Sequence, residues 1–217
     1  GNITQNAGAT VAGGTNGNID LSAAGVLTLN DNVTATGTGT VTLTGDSDGN
    51  AGAPITVLNQ VAGTVSAAGG AILAKTGAAS AGDIQVGAIT NTTANGAGAL
   101  TVRSEAGSIL QNAGGTDLLT SPGTISLFAG NTTPGATSVG TSANRINTNG
   151  GTITAKAGSG GIFLSEADAA TLGALTTTGA GAIDVLNAAA GSLTLTGAVS
   201  AGGANVTIAS AGDLTQN

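Results

Sequence analysis

The feature that most constrains the fold is a short alternating run of residues that the chain repeats many times. Its clearest form is Gly191–Asn217, GSLTLTGAVSAGGANVTIASAGDLTQN. In the runs at 192–195, 198–201 and 205–208, apolar residues alternate with small polar ones, and Gly, Ala, Ser or Asn separates the runs. Alternation with a period of two is typical of a strand with one buried face. Three short strands and a restart near residue 212 predict a chain that winds into a coil.

The same pattern can be followed from residue 1 as three columns of apolar residues. The first column holds Ile3, Leu27, Ile55, Ile84, Ile109, a weak member near Val139, Ile162, Leu193 and Leu214. The second holds Val11, Val33, Val61 or Val65, Ile89, Leu118, Ile146, Leu175 and Val199. The third holds Ile19, Val41, Ile72, Leu100, Ile125, Ile153, Ile183 and Val206. The columns predict eight coils that begin near residues 1, 25, 51, 82, 107, 131, 159 and 191, with a ninth at 212.

A single coil of this kind cannot bury its own apolar edge. Its stability comes from neighbouring coils stacked about 4.8 Å apart in a parallel ladder. Each inward Ile, Val or Leu then contributes about 1.5–3 kcal/mol when it is fully buried. Because connections between parallel strands are overwhelmingly right-handed, we predict an all-β fold, a right-handed parallel β-helix (β-solenoid) with three short strands per coil and about eight coils.

A longer repeat lies over the short one. The phrase GNITQNAG at residues 1–8 returns as GSILQNAG at 107–114 and as GDLTQN at 212–217. We therefore expect residues 1–217 to be a single continuous β-solenoid segment of two four-coil super-repeats, 1–106 and 107–211, with a third beginning at 212. Neither end has the polar capping segment that solenoids use. We expect a slice of a longer protein, with its end faces covered by further coils of the same protein or by identical subunits stacked end to end.

Composition excludes several kinds of chemistry. The chain has no His and no Cys, so Ser-His and Cys-His nucleophiles, zinc-thiolate sites and disulfides are ruled out. Four Lys and Arg against eleven Asp and Glu give a net charge of −7, which predicts no binding to nucleic acid or to an anionic membrane. No apolar run approaches the roughly 18 residues of a membrane span, so we expect no membrane insertion.

One turn offers a weak calcium candidate. Asp46, Asp48 and Asn50 place three oxygen ligands in the flexible sequence DSDGN, and calcium prefers such ligands. The turn departs from the EF-hand frame, because the sixth position is not Gly and the twelfth is Val57. A solvated turn is the favoured interpretation. We expect no catalytic and no cofactor-binding residues, and no metal site beyond this candidate.

Two further groups of carboxylates are candidate sites. The segment Gly13–Asp20 approaches the calcium-binding nonapeptide GGxGxDxUx, but its Gly and Asp are out of phase and it occurs once. Glu166 and Asp168 lie in an apparent expanded turn and can be viewed as an acid/base pair. Nothing in the sequence raises either pKa or brings a cation near. We therefore interpret both groups as surface decoration, and we expect that the chain is not an enzyme.

The two aromatic residues are candidates for lateral contact. Phe163 lies between Ile162 and Leu164, and Phe128 follows Leu127. Alternation with a period of two therefore points both rings outward. Large exposed apolar groups on a sparse surface often mark contact sites, so both rings are expected where neighbouring molecules meet.

Several phrases are similar to a known family of repeats. GSILQNAG, GTISLFAG, GTSANRINTNGGTITA, GGIFLSEADAATLG and GSLTLTGAVSAGGANVTIASAGDLTQ resemble the repeats of filamentous-haemagglutinin-type and related giant bacterial surface proteins. The resemblance covers essentially the whole chain. It implies a right-handed β-helical shaft, export to the bacterial cell surface or the extracellular space, and a role in adhesion, cell-cell contact or filament formation.

Three functions remain open at this stage. The first is a structural or adhesive shaft, which repetition and the scarcity of reactive side chains favour. The second is a β-helical glycan-binding or carbohydrate-active module, which would need Asp gathered with Lys, Arg or His on one face. The third is an ice-binding or other surface-binding solenoid, which would need a flat array of Thr-x-Thr in register. Thr38, Thr40, Thr42 and Thr44 alternate once, but the third column shows no general flanking by Thr.

Overall fold

The structure, a computed structural model, describes residues 1–50, 56–92, 98–112, 117–189 and 191–217. These residues form strands and turns and no helix. The strands are β1 (Ile3–Thr4), β2 (Val11–Thr15), β3 (Ile19–Ser22), β4 (Leu27–Leu29), β5 (Val33–Thr36), β6 (Val41–Gly45), β7 (Thr56–Gln60), β8 (Thr64–Ala67), β9 (Ile72–Thr76), β10 (Asp83–Val86), β11 (Ala88–Asn91), β12 (Leu100–Arg103), β13 (Ile109–Gln111), β14 (Leu119–Phe128), β15 (Ser138–Val139), β16 (Ile146–Ala157), β17 (Gly161–Glu166), β18 (Ala170–Thr177), β19 (Ile183–Asn187), β20 (Leu193–Leu195), β21 (Val199–Ser200), β22 (Val206–Ser210) and β23 (Leu214–Gln216).

The strands wind into a β-solenoid of about eight turns, as the periodicity predicts. Each strand pairs in parallel with the strand one turn earlier or later, and successive turns form three faces. Face A contains β1, β4, β7, β10, β13, β15 and the first halves of β17, β19 and β22. Face B contains β2, β5, β8, β11, the first halves of β14 and β16, and the second halves of β17, β19 and β22. Face C contains β3, β6, β9, β12, the second halves of β14 and β16, and then β18, β20, β21 and β23.

The core is a set of inward columns, one or more for each face. On face A the column is Ile3, Leu27, Leu58, Ile84, Ile109, Val139, Ile162, Ile183 and Val206. On face C it is Ile19, Val41, Ile72, Leu100, Ile125, Ile153, Leu172 and Leu195. Ile72 and Ile153 are 1% and 0% exposed, so the first six members of the predicted third column are confirmed.

The predicted columns are wrong in the last turns. Ile183 and Val206 were expected on the third column, but they stack on Ile162 in face A. The cause is a change in coil geometry at β17, where one continuous strand replaces the separate strands of faces A and B. The corner between faces A and B disappears, so these coils contain one long run in place of two short ones. An assignment based on three runs per coil therefore places each later strand in the wrong column.

The same error affects the other two columns. Leu193 and Leu214 stack on Ala170 in face C, and Leu175 and Val199 stack on Ala155. On face B the registered residues are Val65, Leu119 and Thr148 where Val61, Leu118 and Ile146 were considered. Val139, the weak member of the first column, is fully buried between Ile109 and Ile162. Ile55 lies outside the described residues, and Leu58 pairs with Leu27 in that column.

The corner between faces C and A is lined by small residues. The inward positions there include Gly45, Thr76, Ser104, Ala129 and Ala157. A Cβ atom at Gly45 would overlap the carbonyl oxygen of Val57. Small side chains at this corner let the strand of one face pass closely into the next, and the larger apolar residues fill the space between faces.

Within the described ranges, the structure has no helix that is long and apolar enough to cross a membrane.

Candidate functional site

The inward column of face B, which we call column B, changes its chemistry along the molecule. Its members in order are Val11, Val33, Val65, Ile89, Leu119, Thr148, Glu166, Asn187 and Ser210. The first five are apolar and the last four are polar. Thr148, Glu166 and Asn187 are at most 2% exposed. The polar half of column B therefore holds buried hydrogen-bonding side chains in consecutive turns.

Glu166 is the buried carboxyl in this column. The Thr148 hydroxyl donates to its Oε2 at 2.6 Å, and the backbone N–H groups of Gly150 and Asp168 donate to its Oε1 at 3.3 and 3.4 Å. Burial raises the pKa of Glu166 to about 7, although these hydrogen bonds act in the opposite direction. The expectation that Glu166 decorates an expanded turn with an unshifted pKa is wrong, because the residue ends strand β17 and faces the interior.

Glu166 and Asp168 lie in different environments and do not form a pair at the surface. Asp168 is exposed, and its Oδ1 accepts from the N–H of Ala169 at 2.8 Å. Glu166 is 2% exposed, so a dissolved substrate reaches only Asp168. The sequence does contain a signal for this placement. Alternation that starts at the buried Ile162 and continues through Leu164 puts Glu166 on the inner side of the strand.

Buried amide side chains satisfy the backbone at the corner between faces A and B. Gln60, which is 1% exposed, donates to the carbonyl oxygens of Gly63 and Ala88 at 3.1 and 2.7 Å. Its Oε1 accepts from the N–H of Gly87, one turn later, at 3.1 Å. Gln5, directly after β1, and Gln111, at the end of β13, occupy the same position in their turns. These side chains hold one turn to the next, a structural role that the sequence reasoning missed.

The calcium candidate is a turn stabilised by its own side chains. Asp46 is fully buried, and its Oδ1 accepts from the backbone N–H of Asn50 at 3.2 Å. The Asn50 amide donates to Oδ2 of Asp48 at 3.0 Å. No group of three or more His, Cys, Asp or Glu side chains suited to a metal ion occurs among the described residues. The bonds observed are those of a capped turn, and they leave calcium with no support beyond the sequence pattern.

The segment Gly13–Asp20 also forms structure. The side chain of Asn16 accepts from the N–H of Thr38 at 2.8 Å, and that of Asn18 accepts from the N–H of Thr40 at 3.0 Å. Each bond joins the first turn to the second. Asn16 has a φ of 62°, a left-handed conformation that Asn tolerates better than most residues.

The outer surface of face C carries an aligned set of large side chains. Lys75, Arg103, Phe128 and Lys156 occupy one outward position in four consecutive turns. We call this set the cationic row. It includes three of the four Lys and Arg residues of the chain. Sequence reasoning counted these cations without placing them, because the spacing between turns varies and only the strand register shows the alignment.

A hydrogen-bonded network fixes part of the cationic row. Arg103 forms an ion pair with Glu105 at 2.5 Å, although 44% of the Arg103 side chain remains exposed. The amide of Asn131 donates to the other Glu105 oxygen at 3.1 Å, and Nζ of Lys156 donates to the carbonyl oxygen of Asn131 at 3.1 Å. Glu105 is itself 2% exposed. Glu105 therefore pairs directly with Arg103, whereas Lys156 contacts the backbone of Asn131, a residue whose side chain also bonds to Glu105.

The remaining cation and the second aromatic residue lie on face A. Arg145 forms an ion pair with Asp184 at 2.5 Å and donates to the carbonyl oxygen of Leu164 at 3.3 Å. It thus binds three consecutive turns together. Phe163 lies between the buried Ile162 and Leu164 and faces outward, as the alternation predicts. Phe128 and Phe163 are on different faces, so they do not form one contact patch.

Face C also carries a rank of threonines. Thr124, Thr152, Thr171, Thr194 and Thr215 occupy one outward position in consecutive turns. The rank was missed because the third column was assigned to Ile183 and Val206 in these turns. A second rank, Ser126 and Thr154, stops where the strand shifts register beside Gly173. One continuous rank does not make the two-dimensional array that binding to ice requires.

A shallow groove of about 240 Å³ lies near the start of face A, lined by Ala81, Asp83, Ala106, Gly107, Ser108, Ala136 and Thr137. Burial raises the pKa of Asp83, and a hydrogen bond from the N–H of Ser108 at 2.6 Å opposes this shift. The Thr137 hydroxyl donates to the carbonyl oxygen of Pro134 at 2.5 Å. These polar groups serve the turns, and the remaining walls are mostly Ala.

Comparisons with known proteins add no relative to this geometry. The chain matches no protein-family model, no curated protein and no solved structure. The structure itself defines the class, a parallel β-solenoid built from repeats.

Proposed function

We propose that this chain is part of the structural shaft of a large extracellular bacterial surface protein or fibre, which serves adhesion, cell-cell contact or filament formation. One observation carries the proposal. Parallel pairing links each turn to the next along the whole described stack, and the large residues of its columns are 0–2% exposed between the end turns. A rod of this kind keeps its length and direction without any catalytic group, which is what a spacer needs.

The use of polar side chains supports a structural role over an enzymatic one. Gln60, Asn16 and Arg145 each bind backbone or side-chain groups of another turn. Glu166, the group with the most shifted pKa, is buried and has no route to a substrate. Polar side chains that an enzyme would expose to its substrate here form hydrogen bonds and ion pairs between turns of the stack.

Axial stacking of turns is the second part of the proposal. Ile3 at one end of the stack is 38% exposed, and Val206 and Leu214 at the other are 46% and 51% exposed. Their counterparts in interior turns, such as Ile84 and Leu193, are fully buried. Open apolar columns and unpaired strand edges are surfaces that natural solenoids cover. Further coils of the same kind, in this protein or in identical subunits, fit both surfaces.

The first experiment tests axial stacking. Val206→Lys introduces a charge at an end face, and Val61→Lys is the matched control because Val61 is also 46% exposed but lies on the side of the stack. We expect sedimentation velocity to show concentration-dependent association of the parent chain and of Val61→Lys, and a shift of Val206→Lys toward monomer. A strict monomer at all concentrations, with no difference among the three chains, would remove axial stacking from the proposal.

The second experiment tests the location. A tagged form of the protein, expressed in its bacterium, is exposed to an added protease on intact cells and, separately, after lysis. We expect cleavage on intact cells while a cytoplasmic control protein stays whole. Protection on intact cells together with cleavage after lysis would contradict the surface location.

A further inference from the structure

The cationic row is an electropositive line on an acidic protein. The chain has a net charge of −7, yet Lys75, Arg103 and Lys156 align with Phe128 on the outer side of face C. Strands β9, β12, β14 and β16, which carry the row, contain no Asp or Glu. The net charge predicts no binding to nucleic acid or to an anionic membrane, and it does not describe how the cations are arranged. The strand register aligns three of them on one face.

Hydroxyl groups line the cationic row on one side. Thr101, Ser126 and Thr154 occupy the outward position two residues before Arg103, Phe128 and Lys156 and are themselves paired in register. Thr154 donates to Ser126 at 3.2 Å, which orders the hydroxyls from one turn to the next. Face C thus presents cations, an aromatic ring and hydroxyls at a regular interval of about 4.8 Å, the spacing between neighbouring strands.

The row is organised before any ligand binds. Glu105 fixes the Arg103 guanidinium, and Asn131 links Glu105 to Lys156. Glu105 is buried, so a ligand does not reach its carboxylate, but its ion pair with Arg103 offsets the charge of that guanidinium and, within the described ranges, leaves Lys75 and Lys156 as the uncompensated cations of the row. Preorganised side chains lose less conformational entropy on binding, which favours affinity.

We propose that face C binds a linear acidic polysaccharide, a polyuronate chain that runs along the stack across the cationic row. Its carboxylates recur once per sugar at an interval comparable to the spacing between turns, so they can meet Lys75, Arg103 and Lys156 in sequence. The apolar face of a sugar ring can pack on Phe128, and sugar hydroxyls can bond to Thr101, Ser126 and Thr154. The proposal assigns a ligand to the shaft and does not depend on axial stacking.

Charge complementarity favours this ligand over two others. A second copy of the chain would need an aligned row of acids, and the exposed Asp20, Asp48, Asp168 and Asp213 belong to separate turns and do not share one position. A nucleic acid has a higher charge density, so the overall charge of −7 opposes its approach more strongly than that of a polyuronate. A polyuronate carries its charges singly and presents apolar ring faces between them.

The experiment is a calorimetric titration of the whole chain with polygalacturonate at low ionic strength. The test variant is Lys75→Gln/Lys156→Gln. The matched control is Thr34→Glu/Ser66→Glu, which changes the net charge by the same amount through outward residues of face B. We expect affinity about tenfold weaker in the test variant than in the control. Phe128→Leu, which keeps every charge, is expected to weaken binding about threefold.

A salt series on the unaltered chain tests the proposal without any substitution. Affinity for polygalacturonate should fall as salt is added, and dextran, a neutral polysaccharide, should not bind. Three results would overturn the proposal: no binding of polygalacturonate at low salt, equal affinities of the test and control variants, or equal binding of a single-stranded DNA of matched charge. The last result would identify a general polyanion surface in place of a polysaccharide site.

Discussion

The two halves of column B show how the same position in a solenoid tolerates opposite chemistry. From Val11 to Leu119 the column is apolar, and its interior members, such as Val65, are fully buried. From Thr148 onward it is polar, although Glu166 is 2% exposed and Asn187 is 1% exposed. Burial is therefore similar in the two halves. The difference lies in the partners that the surrounding backbone offers.

The polar half has backbone partners in strand β16 and in the turns that follow β17 and β19. The N–H groups of Gly150 and Asp168 bond to Glu166, and Asn187 donates to the carbonyl oxygens of Asp168 and Gly191 at 2.6 and 3.2 Å. A buried polar side chain is tolerated when such bonds replace those lost from water. In the apolar half, at Ile89 for example, neighbouring side chains are aliphatic and offer no such bonds.

The largest expected loss of stability comes from placing a carboxyl group in the apolar half of column B. Ile89→Glu puts a carboxyl at a position that is 1% exposed between Val65 and Leu119. An unpaired polar group there should lower the free energy of unfolding by about 4 kcal/mol or more. Urea unfolding followed by circular dichroism measures the change. The control Thr90→Glu, one residue along and facing outward, should change stability by less than about 1 kcal/mol; equal losses would mean that column B is not the determinant.

The second effect is a pH dependence that Glu166 adds in the polar half. The pKa of Glu166 is about 7 in the folded chain against 4.5 for an ordinary Glu. Between these pH values the unfolded chain releases a proton that the folded chain keeps, so stability falls as pH rises through this window. The difference amounts to about 3 kcal/mol, which is fully lost above pH 7.

The variant Glu166→Gln should remove this loss. Its stability should match that of the parent chain near pH 4 and exceed it by up to about 3 kcal/mol at pH 8. Asp83, whose pKa is also raised by burial, remains in both chains and supplies the residual slope. Urea unfolding at several pH values is the measurement, and parallel curves for the two chains would contradict the shifted pKa.

The smallest effect concerns the partner of Glu166. Thr148→Val keeps the shape of the side chain and removes the hydroxyl that donates to Glu166 at 2.6 Å. Stability at pH 8 should fall by about 2 kcal/mol, because the hydrogen bond is charge-assisted there, and by about 1 kcal/mol in the Glu166→Gln background. A double-mutant cycle gives the coupling. Zero coupling would show that the two side chains act independently.

Alternation and Gly-rich breaks were sufficient to predict the fold class and most of the register. Ile19 to Ile153 on face C and Val11 to Ile89 on face B are in the predicted order. The third-column prediction is wrong after Ile153, because local periodicity does not show whether two runs are separated by a corner. Whether a corner forms between two runs depends on which strand of the neighbouring turn they pair with.

The candidate site was less predictable than the fold. The sequence shows Lys75, Arg103, Phe128 and Lys156 at intervals of 28, 25 and 28 residues, and only pairing between turns aligns them. Glu166 was assigned to the surface because the segment SEADAATLG was interpreted as an expanded turn, although Glu166 lies an even number of residues after the buried Ile162, which indicates the inner side of the strand. The long repeat of 1–106 and 107–211 stays a prediction.

The pairing of each turn with its immediate neighbours has a consequence for how the molecule opens. Opening the last turn breaks one ladder, whereas opening an interior turn breaks two, so the stack frays inward from its ends. Amide hydrogen exchange should accordingly be slowest near β12 and β14 and fastest at β1 and β23. Folding can begin in any adjacent pair of turns and propagate from there, since no contact has to wait for distant parts of the chain. Mechanical tension along the axis would then be released one turn at a time.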